Sequence, residues 1–215
     1  LAIKSLKSKK ILVTCGPTWV PIDDMRVISN RSTGEFGHVI AENLKKEGAV
    51  ITLLEGPVTS TERPKGVRVL KFLFFDELSN LLNEELKNDY DIVIHAAAVS
   101  DYQPTHTYGS KISSEFSRLT LNLTPAPKLI DNMKKINPKI FLVGFKLESS
   151  IEKEHMMVKA QNLMKRADCD LVIANCQDNK SYIAYIVDKE RNVLGQGVGK
   201  KDVAKTLTRI LKEKL

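Results

Sequence analysis

Short, continuous runs of apolar residues recur along the chain, each closed by glycine, proline or a small polar residue. Lys10-Ile11-Leu12-Val13-Thr14-Cys15-Gly16 is the first. An apolar run of this length without polar alternation predicts a strand buried on both faces, as in a parallel sheet. Residues 49–55, 67–72, 91–99, 140–145 and 170–175 repeat the pattern. Between these runs the apolar positions take the helical period. Helices are expected over about 34–47, closed by Gly48, and from an Asp76 cap to about 87, with Leu78, Leu81, Leu82 and Leu86 on one face. A third opens with Pro127 in its first turn and runs to about 136. A fourth spans 151 to about 166, with its apolar side at Ile151, His155, Val158 and Asn162-Leu163. A fifth covers 202–214. Leu119, Leu121 and Leu123 alternate with Thr120, Asn122 and Thr124, which predicts a further strand. Residues 182–187 and 192–197 predict a hairpin around Lys189-Glu190-Arg191.

Strands alternating with helices predict an α/β fold: a Rossmann-like, three-layer α/β/α domain with a mostly parallel central sheet and a C-terminal β-hairpin. A single domain over 11–215, preceded by a basic lead-in or linker at 1–10, accounts for the chain. Ligands of such folds bind outside the carboxyl ends of the strands. The segments after Val13, Val99, Phe145 and Ala174 are therefore expected to converge.

Composition narrows the classes. The chain has 215 residues, 42% hydrophobic and 27% charged, which is ordinary for a globular protein. No apolar run reaches the roughly 18–20 residues of a membrane span, and no signal peptide is visible, so no membrane contact is expected. Cys15, Cys169 and Cys176 lack CxxC spacing, which argues against a zinc site or disulfide framework and for a cytoplasmic setting. Cys15 and Cys176 fall at strand ends, where a small buried hydrophobe is the ordinary reading. The formal net charge of +7 comes from dispersed lysines concentrated near the two ends. No basic stripe interleaved with aromatics marks a nucleic-acid partner. A positive field drawing in a polyanionic small substrate fits the same charge.

One loop breaks the regular pattern. A dinucleotide fold carries GxGxxG and a helix directly after its first strand. Here Pro17 to Ser32 intervene, and connections beyond about 12–15 residues tend to be functional. The loop ends in Ile28-Ser29-Asn30-Arg31-Ser32-Thr33-Gly34, whose small and hydroxylated residues let backbone N–H groups approach an anion at a helix N-terminus. Asn30 offers a donor amide and an acceptor carbonyl, suited to a carbonyl or an oxyanion. A second group is Ala96-Ala97-Ala98-Val99-Ser100-Asp101-Tyr102 followed by Lys111-Ile112. Asp101 at a strand end suits a base, a sugar or a metal, and Lys111 on a loop suits phosphates. A third is Val143-Gly144-Phe145, where Phe145 either stacks on a base or belongs to the core.

Taken together, Gly16-Pro17-Thr18, Pro21-Ile22-Asp23, Arg26 through Gly34, Ala97 through Tyr102, Lys111-Ile112 and Val143-Gly144-Phe145 resemble one family in order and spacing. That family is phosphopantothenoylcysteine synthetase, the phosphopantothenate–cysteine ligase of coenzyme A biosynthesis, and the resemblance covers nearly the whole chain from Ile11. It implies that the carboxylate of 4′-phosphopantothenate attacks the α-phosphate of CTP, or of ATP in eukaryotic members, with Mg²⁺ accompanying the triphosphate. Cysteine then displaces the nucleoside monophosphate from the acyl-nucleotidyl intermediate.

The resemblance assigns Asn30 to handling that intermediate and Lys111 to a flap that contacts the triphosphate. It assigns Ala96, Ala97, Asp101, Phe145 and the Pro127-Lys128-Leu129-Ile130 helix start to the nucleotide, together with Asn162 and Arg166 on the following helix, where a small shift would bring Lys159 or Lys165 instead. Gly16, Ser32, Gly34 and Ala98 fall on the substrate side, beside Asn30. Departures are Ser113-Ser114 in place of a lysine run, Ala174-Asn175-Cys176 in place of Ala-Asn-Asp, and Gly144-Phe145-Lys146 in place of Gly-Phe-Ala. The resemblance further implies a homodimer and, as in many bacteria, fusion to or association with a flavin-dependent decarboxylase; the basic lead-in and the missing Met fit a domain cut from such a fusion or a free-standing enzyme with a trimmed tail. Two other readings stand beside it: a nicotinamide-dependent reductase, and a non-enzymatic nucleotide- or nucleic-acid-binding module.

Overall fold

The computed structural model describes residues 5–59, 64–148, 152–177 and 182–215. In chain order its elements are β1 (Lys10–Cys15), β2 (Trp19–Pro21), β3 (Val27–Ser29), α1 (Glu35–Lys46), β4 (Val50–Glu55), β5 (Arg68–Lys71), α2 (Phe75–Glu85) and β6 (Ile92–His95). There follow β7 (Tyr102–Pro104), β8 (Leu123–Pro125), α3 (Ile130–Ile136), β9 (Phe141–Glu148), α4 (Lys153–Ala167), β10 (Leu171–Gln177), β11 (Tyr182–Asp188), β12 (Val193–Val198) and α5 (Lys200–Lys214). The main sheet has the order β12-β11-β10-β9-β6-β1-β4-β5. The six strands from β5 to β10 are parallel, and β11 and β12 add an antiparallel edge.

The α/β class with a mostly parallel sheet and a closing hairpin is therefore the observed one. Successive residues of a strand face opposite sides of the sheet. In β1, Ile11, Val13 and Cys15 enter one core with α1 and α5, while Leu12 enters the other with α2, α3 and α4. Chain order reverses between β1 and β6: the strands run outward from β1 through β4 to β5, then resume on the other side of β1 with β6. A crevice opens at such a switch point, outside the carboxyl ends of the two strands.

Several elements differ from the sequence pattern. The long loop after β1 contains the small β2–β3 hairpin, with Trp19 opposite Ser29 and Pro21 opposite Val27. The alternating leucine stretch yields only β8, paired with β7; Leu119 and Leu123 are exposed, so no burial sustained the longer strand. Helix α2 starts one residue before Asp76, because the Glu77 carboxylate accepts the Leu73 and Phe74 N–H groups. Pro127 precedes α3 by three positions rather than occupying its first turn. Helix α4 buries Met156, Ala160, Leu163, Met164 and Ala167, and leaves His155, Val158 and Asn162 exposed. Both sets recur every three or four residues, and packing selects the one with the larger apolar surface. Ile151, the expected first residue of that helix, lies outside the described residues. The lead-in is also part of the fold near its end: Leu6 is buried in the α1/α5 core, and Lys9 pairs with Asp91 at 2.8 Å.

Candidate active site

The ends of β1 and β6 are stitched together by the residues that the motifs single out. Ala98 donates its N–H to the Gly16 carbonyl at 2.9 Å, and Thr18 donates to the Ala98 carbonyl at 3.4 Å. The Thr18 hydroxyl accepts the Ser100 N–H at 3.0 Å, and the Thr14 hydroxyl accepts the Ala97 N–H at 3.0 Å. Asn30, arriving from β3, donates its side-chain amide to the carbonyls of Ala98 (3.2 Å) and Val99 (3.0 Å). Both partners are acceptors, so the NH₂ group must face them. With both amide hydrogens engaged, the Asn30 side-chain carbonyl is the atom left for a ligand.

Glycine is required where this loop turns. Gly16 and Gly34 sit at φ +81° and +76°, a region that costs L-residues roughly 1–2 kcal/mol. A Cβ at either would also strike the Val58 Cγ1, at 2.7 Å and 2.2 Å. Val58, from the segment after β4, thus fills the space beside both glycines and leaves neither room for a side chain; no motif pointed to it. Gly34 caps α1, and the hydroxyls of Ser32 and Thr33 accept the N–H groups of Gly34 and Glu35, both at 3.4 Å. The helix N-terminus is therefore partly occupied by its own loop.

Below the loop, Cys15, His38 and Glu55 bring a thiol, an imidazole and a carboxylate within 4.8 Å of one another, all buried. His38 Nε2 and Glu55 Oε1 lie 2.8 Å apart, tying α1 to the end of β4. Sulfur, nitrogen and oxygen donors of this kind suit a borderline-soft cation. At the end of β6, His95 is hydrogen-bonded through Nδ1 to Thr14 Oγ1 at 2.9 Å, and burial lowers its pKa to about 4. It is neutral at physiological pH and braces the strand end carrying Ala96 and Ala97. All three cysteines are buried and none forms a disulfide.

On the far side of the crevice, Asp101 is exposed and ion-paired with Lys128 just ahead of α3. Arg166 pairs with Asp131 in the first turn of α3 at 2.9 Å. These pairs link the strand end, the Pro127–Ile130 segment and α4; Asn162 lies one turn before Arg166, on an exposed face. Phe145 is half-buried and meets Phe36 of α1 edge-on, with centroids 5.4 Å apart. Its ring is thus part of the wall between β9 and the glycine loop. Lys111 is exposed, on the long segment between β7 and β8. The neighbouring Ile112 is buried, and its N–H reaches the Asp23 carboxylate at 3.0 Å. That bond is the main cause holding the Asp23 carboxyl below its usual pKa. Asp23 and Arg26 appeared in the sequence only as parts of a motif, with no role of their own.

Residues 6–214 match the family described as DNA/pantothenate metabolism flavoprotein C-terminal domain. The chain belongs to this family. It is 37% identical over 214 residues to the coenzyme A biosynthesis bifunctional protein CoaBC of Thermococcus kodakarensis, a match covering 99% of this chain and 50% of that protein. It spans about half the length of this curated relative and of another, the CoaBC protein of Borreliella burgdorferi. A crystal structure of the DNA/pantothenate metabolism flavoprotein from Streptococcus pneumoniae superposes with a TM-score of 0.86 at 29% identity, covering 97% of this chain and 100% of that one. A Cab2 mutant in complex with phosphopantothenate-cysteine shares the fold, with a TM-score of 0.72 at 19% identity over 96% of this chain and 89% of that one. Among the described residues, no helix of this family member is long and apolar enough to cross a membrane.

Proposed function

We propose that the chain ligates 4′-phosphopantothenate to cysteine through an acyl-nucleotidyl intermediate, with CTP rather than ATP as the activating nucleotide. A carboxylate is a poor acyl donor because its oxygen is a poor leaving group. In the first step a carboxylate oxygen bonds to the α-phosphorus, the bond from that phosphorus to the bridging oxygen breaks, and pyrophosphate leaves. In the second, the cysteine amine attacks the acyl carbon, nucleoside monophosphate leaves, and the nitrogen loses a proton.

The observation that carries this reading is the orientation of Asn30. Its amide is spent on the Ala98 and Val99 carbonyls, so its own carbonyl is left to accept from an incoming amine. An amine nucleophile needs an acceptor to orient its lone pair toward the acyl carbon. Gly16, Ser32, Gly34 and Ala98 line the same place and receive the phosphopantothenate side. The nucleotide falls to Ala96, Ala97, Asp101, Pro127, Lys128, Leu129, Ile130 and Phe145, with Asn162 and Arg166 farther along. Lys111 supplies a point charge to the triphosphate. Mg²⁺ would supply charge neutralisation on the phosphates, and Asp101, whose exposed carboxylate offers hard oxygens, is the group here that suits it. The first turn after β1, where a dinucleotide would seat its pyrophosphate, is occupied by the β2–β3 hairpin, which disfavours the reductase reading. A cytoplasmic homodimer working beside a flavin-dependent decarboxylase completes the proposal.

The test is direct. Purified protein with 4′-phosphopantothenate, cysteine and Mg²⁺ is expected to release pyrophosphate with CTP, and more slowly with ATP. No release with either nucleotide would remove the ligase reading, and faster release with ATP would reverse the nucleotide assignment.

A further inference from the structure

The segment carrying Lys111 is tied down on both sides of the lysine, and each of these ties ends on the β2–β3 hairpin. Upstream, Tyr108 donates its N–H to the Ile22 carbonyl at 2.9 Å, and the Thr107 hydroxyl donates to the Pro21 carbonyl at 3.5 Å. Downstream, Ile112 donates its N–H to Asp23 Oδ2 at 3.0 Å. The Ile112 carbonyl accepts from both terminal nitrogens of Arg26, each at 3.3 Å. Only Gly109, Ser110 and Lys111 lie between the two anchor points. Ile112 is 7% exposed, whereas its neighbours on either side stand in solvent. Lys111 thus rides on a three-residue arch whose feet are fixed.

Asp23 is the keystone. Its side chain is fully withdrawn from solvent and accepts four donors: the N–H groups of Met25 (2.9 Å) and Arg26 (2.7 Å), the Arg26 guanidinium (2.7 Å), and Ile112. The first three are local and would suffice to build a turn. The fourth reaches 89 positions along the chain. Arg26 faces two ways, pairing with Asp23 and gripping the Ile112 carbonyl. The same hairpin continues directly into Asn30.

We propose that Asp23, with Arg26, is a positioning residue that sets where Lys111 can reach, coupling the triphosphate end of the site to the hairpin that delivers Asn30. The proposal rests on the ligase reading for what Lys111 touches, but the anchoring itself does not. Its consequence is selective: loosening the anchor impairs nucleotide use and pyrophosphate release, and spares the phosphopantothenate side.

The experiment compares wild type with Asp23→Asn and the milder Arg26→Lys, which keeps the charge but loses the two-pronged grip. The Asn variant retains a carbonyl for the local turn and loses the second carboxylate oxygen that receives Ile112. Amide exchange at Ile112 and tryptic cleavage after Lys111 are expected to accelerate roughly 10- to 100-fold, the factor set by losing one bond to a charged group. KM for the nucleotide is expected to rise, the rate of pyrophosphate release to fall, and KM for 4′-phosphopantothenate to stay near wild type. In a Lys111→Gln background, Asp23→Asn should add nothing to the loss. Unchanged exchange at Ile112 in both variants overturns the proposal. So does faster exchange with unaltered nucleotide kinetics, or a full additional loss in the Lys111→Gln background. If wild type itself releases no pyrophosphate, the ligase reading fails, while the exchange and proteolysis measurements still decide whether Asp23 holds the arch.

Discussion

Gly34→Ala is the sharpest single test of how the glycine loop is held. Two penalties act together. The backbone at φ +76° costs an L-residue roughly 1–2 kcal/mol. The new Cβ would lie 2.2 Å from Val58 Cγ1, a contact that must be relieved by moving Val58 at an overpacking cost of about 1–3 kcal/mol. Alanine also restricts the unfolded chain, which offsets about 0.4–1 kcal/mol. The net expectation is a loss of about 1–5 kcal/mol. At about 2–4 °C per kcal/mol for a domain of this size, the melting temperature should fall by roughly 2–20 °C. Val58→Ala separates the two terms, because it removes Cγ1 and leaves Cβ, at 3.0 Å, as the nearest Val58 atom. In that background Gly34→Ala should cost only the backbone strain and the residual tightness, about 1–2 kcal/mol. Urea unfolding of the four proteins of this cycle gives a coupling energy. An equal penalty for Gly34→Ala in both backgrounds would refute the idea that Val58 clamps the loop.

Two further outcomes are expected. Asn30→Asp should still release pyrophosphate but accumulate the acyl-nucleotide, because a carboxylate cannot donate to the Ala98 and Val99 carbonyls; normal product formation, followed by mass spectrometry of the quenched reaction, removes Asn30 from its role. Burial lowers the His95 pKa from 6.5 to about 4, so the unfolded chain binds a proton there first. The stability linked to keeping His95 neutral is complete above pH 6.5 and lost as pH falls toward 4, amounting to about 3 kcal/mol. His95→Gln should show a shallower decline between pH 7 and pH 4.5 in urea titrations, and parallel curves would show that His95 is not the acid-sensitive group.

The strands were legible in the sequence because burial on both faces leaves no polar positions to blur the apolar run; Ile11, Leu12 and Val13 face two different cores and all had to be apolar. The face of α4 was not, since His155, Val158 and Asn162 share the helical spacing of the residues that pack. The β2–β3 hairpin escaped because three-residue strands carry too few positions for a period. For the site, residue types revealed Asn30 as a candidate, but the partners that orient it are backbone carbonyls, and any sequence has those. Asp23 stood in the sequence only as part of a motif, and three of its bonds are those of a turn. The fourth exists only once the chain has folded back. Val58 is an ordinary apolar residue whose importance comes from two glycines distant in sequence.

The seam between Gly16 and Ala98 has a practical side. It is built on the ends of β1 and β6, strands in the middle of the sheet whose core residues are fully buried. Those strands separate only when the whole domain opens. This half of the candidate site therefore shares the durability of the scaffold itself, so heating should disorder it at the temperature where the protein melts and no sooner. The arch carrying Lys111 hangs from a surface turn by a few bonds and has no such protection. Wear from warmth, proteases or mild denaturant should reach that arch first, while the seam at the strand ends still holds.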